Sequence, residues 1–293
     1  MELTNKQNLP QAIVNIVKKT SYPPKPKRYG ITTLLKGDTE IILTKRFHKD
    51  IIEDVSDDIW ALFGTMFHEY ISNHDTTGFS EYKIEIPISK SVVVGVLDFY
   101  DKKNNEIIDY KTTTVWKITF KDYEDWRNQL LGYCWALWKK SKGKIVCLKG
   151  TIIAILRDYQ KSKAIQGGNY PKSNVVKVNF DFTIDDLIEF DKYITEKVKR
   201  LENQKYWHTN ALKECSEKEK WTTPTTYAIY KNDNKTATKV CESESEANMV
   251  YELLQENDPK NKYTIVERKG QDKKCLEYCR ARFFCPFREA KNE

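Results

Sequence analysis

The stretch Val92–Thr114, VVVGVLDFYDKKNNEIIDYKTTT, constrains the fold more than any other part of the chain. Two apolar runs, Val92–Tyr100 and Glu106–Thr112, flank a polar turn rich in Asn and Lys, which predicts a β-hairpin. A turn over Lys102–Asn105 sets Asp98 opposite Asp109, with Cβ atoms about 4.5–5.5 Å apart. Side chains alternate along a strand, so Lys111 shares the face of Asp109. Three charges therefore converge on one face of an apolar hairpin. Burying two carboxylates side by side is costly unless they share a cation, and one lysine neutralises only one of them. A divalent ion that takes oxygen ligands, magnesium or manganese, is the simplest remedy. The same residues also suit a partly exposed Asp–Lys pair on an edge strand.

A chain of 293 residues is long enough for one large domain, or for a core with a smaller appendage. Its 49 Lys and Arg against 42 Asp and Glu leave a net charge of +7, a modest excess that permits a polyanionic partner without requiring one. The 17 Tyr and 7 Trp add stacking surface, although most aromatic residues simply fill cores. No secretory signal, transmembrane run or lipidation motif is visible, so a soluble intracellular (cytoplasmic) protein is expected. Seven cysteines cannot all pair within one chain, which points to a reducing compartment.

Around the hairpin the periodicity changes. NLPQAIVNIVKK reads as a short helix with Pro10 at its start, and the prolines of SYPPKPKRYG forbid its continuation, leaving a basic linker. Ser56–Ile71 has a helical pattern, with Ser56 as N-cap and an apolar stripe of Ile59, Leu62, Phe63, Met66, Phe67 and Tyr70. His68 lies beside that stripe, one turn after Gly64, where a missing side chain lets a backbone or ligand come close. A lone histidine there also suits an ordinary half-buried, hydrogen-bonded role. Tyr82–Ile88 reads as a strand, and Tyr123–Lys140 as a helix that carries Gln129 and Tyr133 on one face. Thr151–Leu156 and Val175–Phe182 read as further strands, Lys161–Asn174 as a loop, and Thr183–Gln204 as a charged amphipathic helix capped by Thr183.

The ordered set GxxxH (Gly64, His68), GVLD (Gly95, Asp98), DYK (Asp109, Lys111) and QLLGY (Gln129, Tyr133) resembles the PD-(D/E)XK nuclease superfamily, in its RecB-like branch. YGITTLLKG and FHKDIIEDVSDDIWALFGTMFHEYI are also similar to phage-encoded members, so the resemblance covers most of the chain. It implies an α/β fold, a central mixed sheet flanked by helices, with Asp98 and Asp109 ligating a catalytic Mg2+ or Mn2+ together with the His68 side chain and the Tyr110 carbonyl. Lys111 would orient or activate the attacking water, and Gln129 with Tyr133 would support the site and the bound strand. Leu97 stands where the superfamily name has proline, and Asp109 replaces the commoner glutamate; both changes occur within the branch. Independently, phosphodiester hydrolysis needs an activated water and neutralised charge, which divalent ions supply. No Ser–His or Cys–His triad order and no GxxxxGK[ST] loop is present.

From about Ala211 the pattern is that of a small α+β module. A hairpin is expected over Thr226–Tyr230 and Thr236–Cys241, then a helix at Ser243–Gln255 and a strand at Lys262–Arg268. Cys275, Cys279 and Cys285 crowd the end, and Cys215 stands upstream. Close thiols in a reducing compartment favour metal ligation, by iron–sulfur or zinc. Cys134, Cys147 and Cys241 read as core residues. RecB-like nucleases that carry a four-cysteine [4Fe–4S] cluster make the same set, Cys215, Cys275, Cys279 and Cys285, the cluster ligands that the resemblance implies, with zinc as the alternative. Two features depart from that pattern: no cysteine precedes Cys134, and the terminal spacings are not those of a zinc ribbon.

The organisation expected is a helix and linker over 1–30, a nuclease core over 31–210 and a cysteine-cluster module over 211–293. The resemblance implies a metal-dependent DNA exonuclease of phage-type recombination, repair or replication, with DNA as partner and a single-strand annealing or recombination protein as a further one. The alternatives are a structure-specific or CRISPR-adaptation-like endonuclease, and a degenerate nuclease fold that only binds DNA. Two opposed carboxylates would repel phosphate in a pure binder, which counts against the last.

Overall fold

A computed structural model describes residues 1–20, 23–74, 79–203 and 208–288. The chain forms two units, Met1–Leu212 and Lys213–Glu293. The first runs β1 (Glu2–Thr4), α1 (Gln11–Thr20), β2 (Arg28–Gly30), a helical turn α2 (Ile31–Leu34), α3 (Asp38–Arg46) and β3 (Ile52–Asp54). A 3-10 turn at Val55–Asp58 then leads into α4 (Ile59–His74), β4 (Phe79–Ile88), β5 (Ser91–Asp101), β6 (Glu106–Thr113) and α5 (Val115–Thr119). The unit ends with α6 (Glu124–Lys140), β7 (Lys149–Leu156), α7 (Lys161–Gln166), β8 (Val175–Asp181) and α8 (Ile184–Glu202). The presumed linker thus contains an edge strand, β2, and the presumed loop after β7 contains α7. No helix among the described residues is long and apolar enough to cross a membrane.

A mixed sheet of six strands, flanked by helices, organises this unit. β4, β5 and β6 are antiparallel, β6 and β7 parallel, and β7 and β8 antiparallel. β4 follows one edge of β5 from Ser91 to Tyr100 with one position skipped, so the other edge is shared: β2 pairs with Val92–Val94 and β6 with Phe99–Asp101. Between them Gly95–Asp98 has no ladder partner on that edge, and the sheet opens there.

Helix α6 covers the sheet, buried without a break from Leu130 to Leu137. Outside it lies α8, whose Leu187, Phe190, Ile194, Val198 and Leu201 recur at helical spacing and are all buried. Trp135 joins the two, packing 5.6 Å from Phe190 between ring centroids and donating to Asp191 at 2.9 Å. Ile31 is the wedge that brings the layers together. A Cβ at Gly95 would lie 2.7 Å from its Cδ1, and one at Gly132 would lie 2.5 Å from its Cγ2. Only glycine lets β5 and α6 close around this side chain.

At the entry to α4 the structure differs from expectation. The cap is Asp54 rather than Ser56, and Asp57 completes a capping box. Asp54 accepts from Thr4 Oγ1 and the Lys6 N–H, both at 2.8 Å, and from the Ser56 N–H at 3.1 Å and Oγ at 2.7 Å. One carboxylate therefore ties the chain's start to the start of α4. The apolar stripe also departs from expectation: Leu62 alone in α4 is buried, in a small core with Val14, Val17 and Val55, whereas Phe63, Met66 and Tyr70 are exposed.

The second unit comprises α9 (Glu217–Lys220), β9 (Thr226–Lys231), β10 (Lys239–Cys241), α10 (Glu244–Asn257) and β11 (Tyr263–Arg268), close to expectation except for a shorter β10. β9 lies between β10 and β11, all antiparallel, and α10 closes a core of Ile229, Cys241, Ala247 and Tyr263. Single helical turns at Lys274–Tyr278 and Arg282–Phe284 follow.

The hydrogen bonds to Asp54, that from the Lys6 backbone foremost, hold its pKa well below the ordinary carboxylate value. A depressed folded-state pKa stabilises fully above the unfolded-state value, near pH 4, and the contribution is lost as pH falls below it. Asp54→Asn is expected to lower the melting temperature at pH 7, and the gap between variant and parent should narrow from pH 5 to pH 3. A gap that stays constant over that range would show that the carboxylate charge does not matter.

Candidate active site

The opening in the sheet sets the geometry of the site. The hairpin pairs in the expected register, Asp101 with Glu106 and Phe99 with Ile108, but the ladder stops there. Asp98 and Asp109 are not a ladder pair. Instead the Tyr110 N–H donates to Asp98 Oδ2 at 2.9 Å, so the carboxylate takes a position that a neighbouring carbonyl would otherwise fill. Burial alternates along β5 as far as Phe99 and breaks at the next residue, Tyr100, which is also buried.

On the other edge of β5 the pairing also skips one position. Ser80 pairs with Phe99 and Tyr82 with Leu97, which puts Glu81 opposite Asp98. Glu81 has φ 48°, left-handed backbone that costs a non-glycine residue roughly 1–2 kcal/mol. The strain directs its carboxylate toward α4. Among the described residues, His68, Glu81 and Asp98 form the one group of three such donors whose ligand atoms lie within 4.8 Å of one another. His68 Nδ1 is 3.2 Å from Asp98 Oδ2, and that hydrogen bond raises the histidine pKa. Burial followed by the nearby Asp98 charge raises that of Glu81.

Asp109 lies deeper, with no solvent exposure at all. Its Oδ1 accepts from Gln129 Nε2 at 3.0 Å, and the same amide donates to Tyr133 Oη at 2.9 Å. The i, i+4 spacing on α6 thus sets Tyr133 against Gln129, whose amide reaches the carboxylate. Its Oδ2 is 2.6 Å from Lys111 Nζ but lacks a partner in hydrogen-bond geometry. Burial pushes the Asp109 carboxyl up, and the Lys111 charge opposes the shift. The Tyr133 hydroxyl is likewise raised, chiefly by burial. A hard cation suits this donor set: the carboxylates of Glu81, Asp98 and Asp109, the last with spare capacity at its buried Oδ2, and one imidazole.

All the hairpin, α4 and α6 residues singled out in the sequence, His68, Asp98, Asp109, Tyr110, Lys111, Gln129 and Tyr133, therefore meet in one place. Sequence reasoning missed Glu81, because the strand was started at Tyr82. The turn at Ser89–Lys90, which pairs Ile88 with Ser91, was the available signal, since counting back from it sets Glu81 against Asp98.

The cysteines behave differently. Cys134, Cys147 and Cys241 are buried core residues, as expected. Cys215, Cys275, Cys279 and Cys285 are half-buried cysteines of the second unit, and no three of them have sulfurs within 4.8 Å of one another. Lys220 joins their segments, with Nζ 2.9 Å from Glu214 beside Cys215 and 3.1 Å from Asp272 shortly before Cys275. Burial, then the Asp272 charge and then the nearby Cys285 raise the Cys275 pKa.

Three solved structures show a weak similarity to this chain. The protein SSO0001 is 14% identical with a TM-score of 0.43, over 64% of this chain and 82% of that one. An alkaline exonuclease from Laribacter hongkongensis, LHK-Exo, is 11% identical with a TM-score of 0.38, over 59% and 87%. A phage related exonuclease from Haemophilus somnus 129PT is 14% identical with a TM-score of 0.30, over 67% and 79%. No curated protein sequence matches. The PD-(D/E)XK nuclease superfamily model matches residues 47–286 and takes in α4, the hairpin, both aspartates, Lys111 and α6; the chain belongs to that superfamily.

Proposed function

We propose that the chain is a Mg2+- or Mn2+-dependent nuclease that hydrolyses phosphodiester bonds in DNA from strand ends. The observation that carries the metal-dependent chemistry is the cation-shaped donor set, His68, Glu81 and Asp98 within 4.8 Å beside the buried, partly unsatisfied Asp109. In this reading Asp98 and Asp109, with His68, Glu81 and the Tyr110 carbonyl, hold the divalent ion. The ion supplies charge neutralisation at the phosphate and a water of lowered pKa. Lys111 reaches from the buried Asp109 to partial exposure, so its Nζ is the donor available to the attacking water or a phosphoryl oxygen. Gln129 and Tyr133 keep Asp109 oriented. End-directed cleavage, in phage-type recombination, repair or replication, rests on the sequence resemblance to phage-encoded members.

For the second unit we propose that Cys215, Cys275, Cys279 and Cys285 bind an iron–sulfur cluster. The set is four thiolates with no imidazole or carboxylate among them, the soft donors that an iron–sulfur cluster takes, with zinc as the alternative.

Linear DNA labelled at free or blocked ends, and closed circular DNA, test the main reading with Mg2+ or Mn2+ present. Cleavage of free ends alone is expected; cleavage of circles would make the enzyme an endonuclease, and binding without cleavage would make it a DNA-binding protein. Asp98→Ala and Asp109→Ala should each abolish cleavage and spare DNA binding. Lys111→Ala should slow it by about 100-fold or more at unchanged melting temperature.

Glu81→Gly separates ligand from strain. It removes the carboxylate while relieving the left-handed backbone. Calorimetric Mn2+ affinity should fall by about 10-fold or more, the loss seen even for groups that only support a ligand. The thermal midpoint should not drop, and unchanged Mn2+ affinity would exclude Glu81 from the set.

Anaerobically purified protein should be brown and contain iron and labile sulfide. Zinc at one ion per chain in a colourless protein would replace the cluster, and the absence of both metals would leave four ordinary thiols.

A further inference from the structure

Beside the carboxylates the fold leaves a set of aromatic rings facing solvent. Trp60 and Phe63 on α4 are 59% and 50% exposed, and Trp116 on α5 and Phe120 just after it are 59% and 72% exposed. The last two stack with centroids 5.6 Å apart and planes 18° from parallel, while Trp60 and Phe63 meet edge to face at 6.4 Å. Large aromatic residues on the solvent side of two neighbouring elements have no role in the core.

Arg157 ties one of these rings to the end of β6. Its guanidinium lies 4.2 Å from the Trp60 ring centroid, and its backbone N–H donates to the Thr113 carbonyl at 3.0 Å. The next residue, Asp158, accepts the Val115 N–H at 2.8 Å, where α5 begins. Helix α4 rests on the same strand, because a Cβ at Gly64 would sit 3.7 Å from Thr112 Oγ1. Both pairs of rings therefore border the end of the strand that carries Asp109 and Lys111.

An aromatic face next to an exposed guanidinium suits a nucleotide: the base stacks and the phosphate meets the positive charge. Lys161 and Lys163 on the following α7 are exposed and extend that charge, whereas Lys117 is committed to Asp122 and Asp125. Bases inside a duplex have no free face to offer, so the complementary occupant is an unpaired strand. We propose that Trp60, Trp116, Phe120 and Arg157 form a stacking platform for unpaired nucleotides of the strand entering the active site. This deepens the nuclease reading and rests on it for the strand's destination.

The test uses the full chain without divalent metal, so that binding is read apart from cleavage. Fluorescence anisotropy compares oligothymidylate, an abasic oligonucleotide of equal length and charge, and a blunt duplex. Oligothymidylate should bind most tightly. Trp116→Leu with Phe120→Leu keeps apolar bulk and removes the rings; it should weaken oligothymidylate binding by roughly 5- to 150-fold, the range for one stacked base. Binding of the abasic strand should not change, whereas Arg157→Ala should weaken both. Wild-type protein that binds abasic and thymidylate strands equally overturns the platform without needing any variant, as does equal loss on both strands in the leucine variant. A dimer in sedimentation that the leucine variant dissolves would make this face a contact between copies. Wild-type cleavage with Mg2+ or Mn2+ is scored separately. Ring-dependent binding without cleavage sinks the nuclease reading alone, and cleavage without ring dependence sinks the platform alone.

Discussion

A carboxylate with no access to water, at Asp109, is the constraint on which the first unit's arrangement depends. Taking such a group out of water costs several kcal/mol even after the protein relaxes around it. Lys111 returns part of that through a 2.6 Å ion pair, and Gln129 returns part through a 3.0 Å hydrogen bond. Neither satisfies Oδ2 fully. A buried ion pair is weak grounds for stability, since apolar residues of like volume often serve better. The expense is intelligible as site chemistry: a carboxyl driven upward by burial, beside a lysine, gains most when a cation enters.

The rest of the site follows from how three strands fail to pair. β2 and β6 share one edge of β5 and leave Asp98 between them, while the left-handed Glu81 interrupts the other edge at the same position. Asp98 is thus released from both ladders and held by a backbone amide and an imidazole instead. Strain of this kind persists only where the surroundings over-determine it. Here they do: α6 and the Ile31 wedge fix the strands from one face, and β4 continues in register on both sides of the interruption.

This accounts for what could be read from residues alone. The hairpin register was legible because a short polar turn between apolar runs admits few pairings. Gln129 and Tyr133 were legible because helical spacing is rigid. The cap of α4 was misread by two positions, since Asp54 and Ser56 are both good caps and a 3-10 turn separates the cap from the helix proper. The apolar stripe of α4 was misread for a different reason: periodicity shows that a helix has an apolar face and is silent on whether anything covers it. Glu81 was lost because the strand was begun one residue late, at Tyr82; counting back from the Ser89–Lys90 turn sets it against Asp98, although its left-handed backbone has no signature in the sequence. The link that Lys220 makes between Glu214, beside Cys215, and Asp272, before Cys275, could not be read from spacing, because an ion pair between residues far apart in the chain leaves no local pattern.

Helix α4 shows how the site and the fold depend on each other. It buries one large side chain, Leu62, where α6 is buried along its whole central stretch, so burial alone holds it weakly. Three further contacts place it: the Asp54 capping box at its entry, Gly64 against Thr112, and His68 against Asp98. The first two belong to the scaffold and the third to the active site. Because His68 and the exposed Trp60 and Phe63 ride on the same helix, any force that draws His68 toward the carboxylates also sets the position of those rings. A site built as a gap in a sheet, with one lightly anchored helix across it, thereby couples the seating of its donors to the surface beside it.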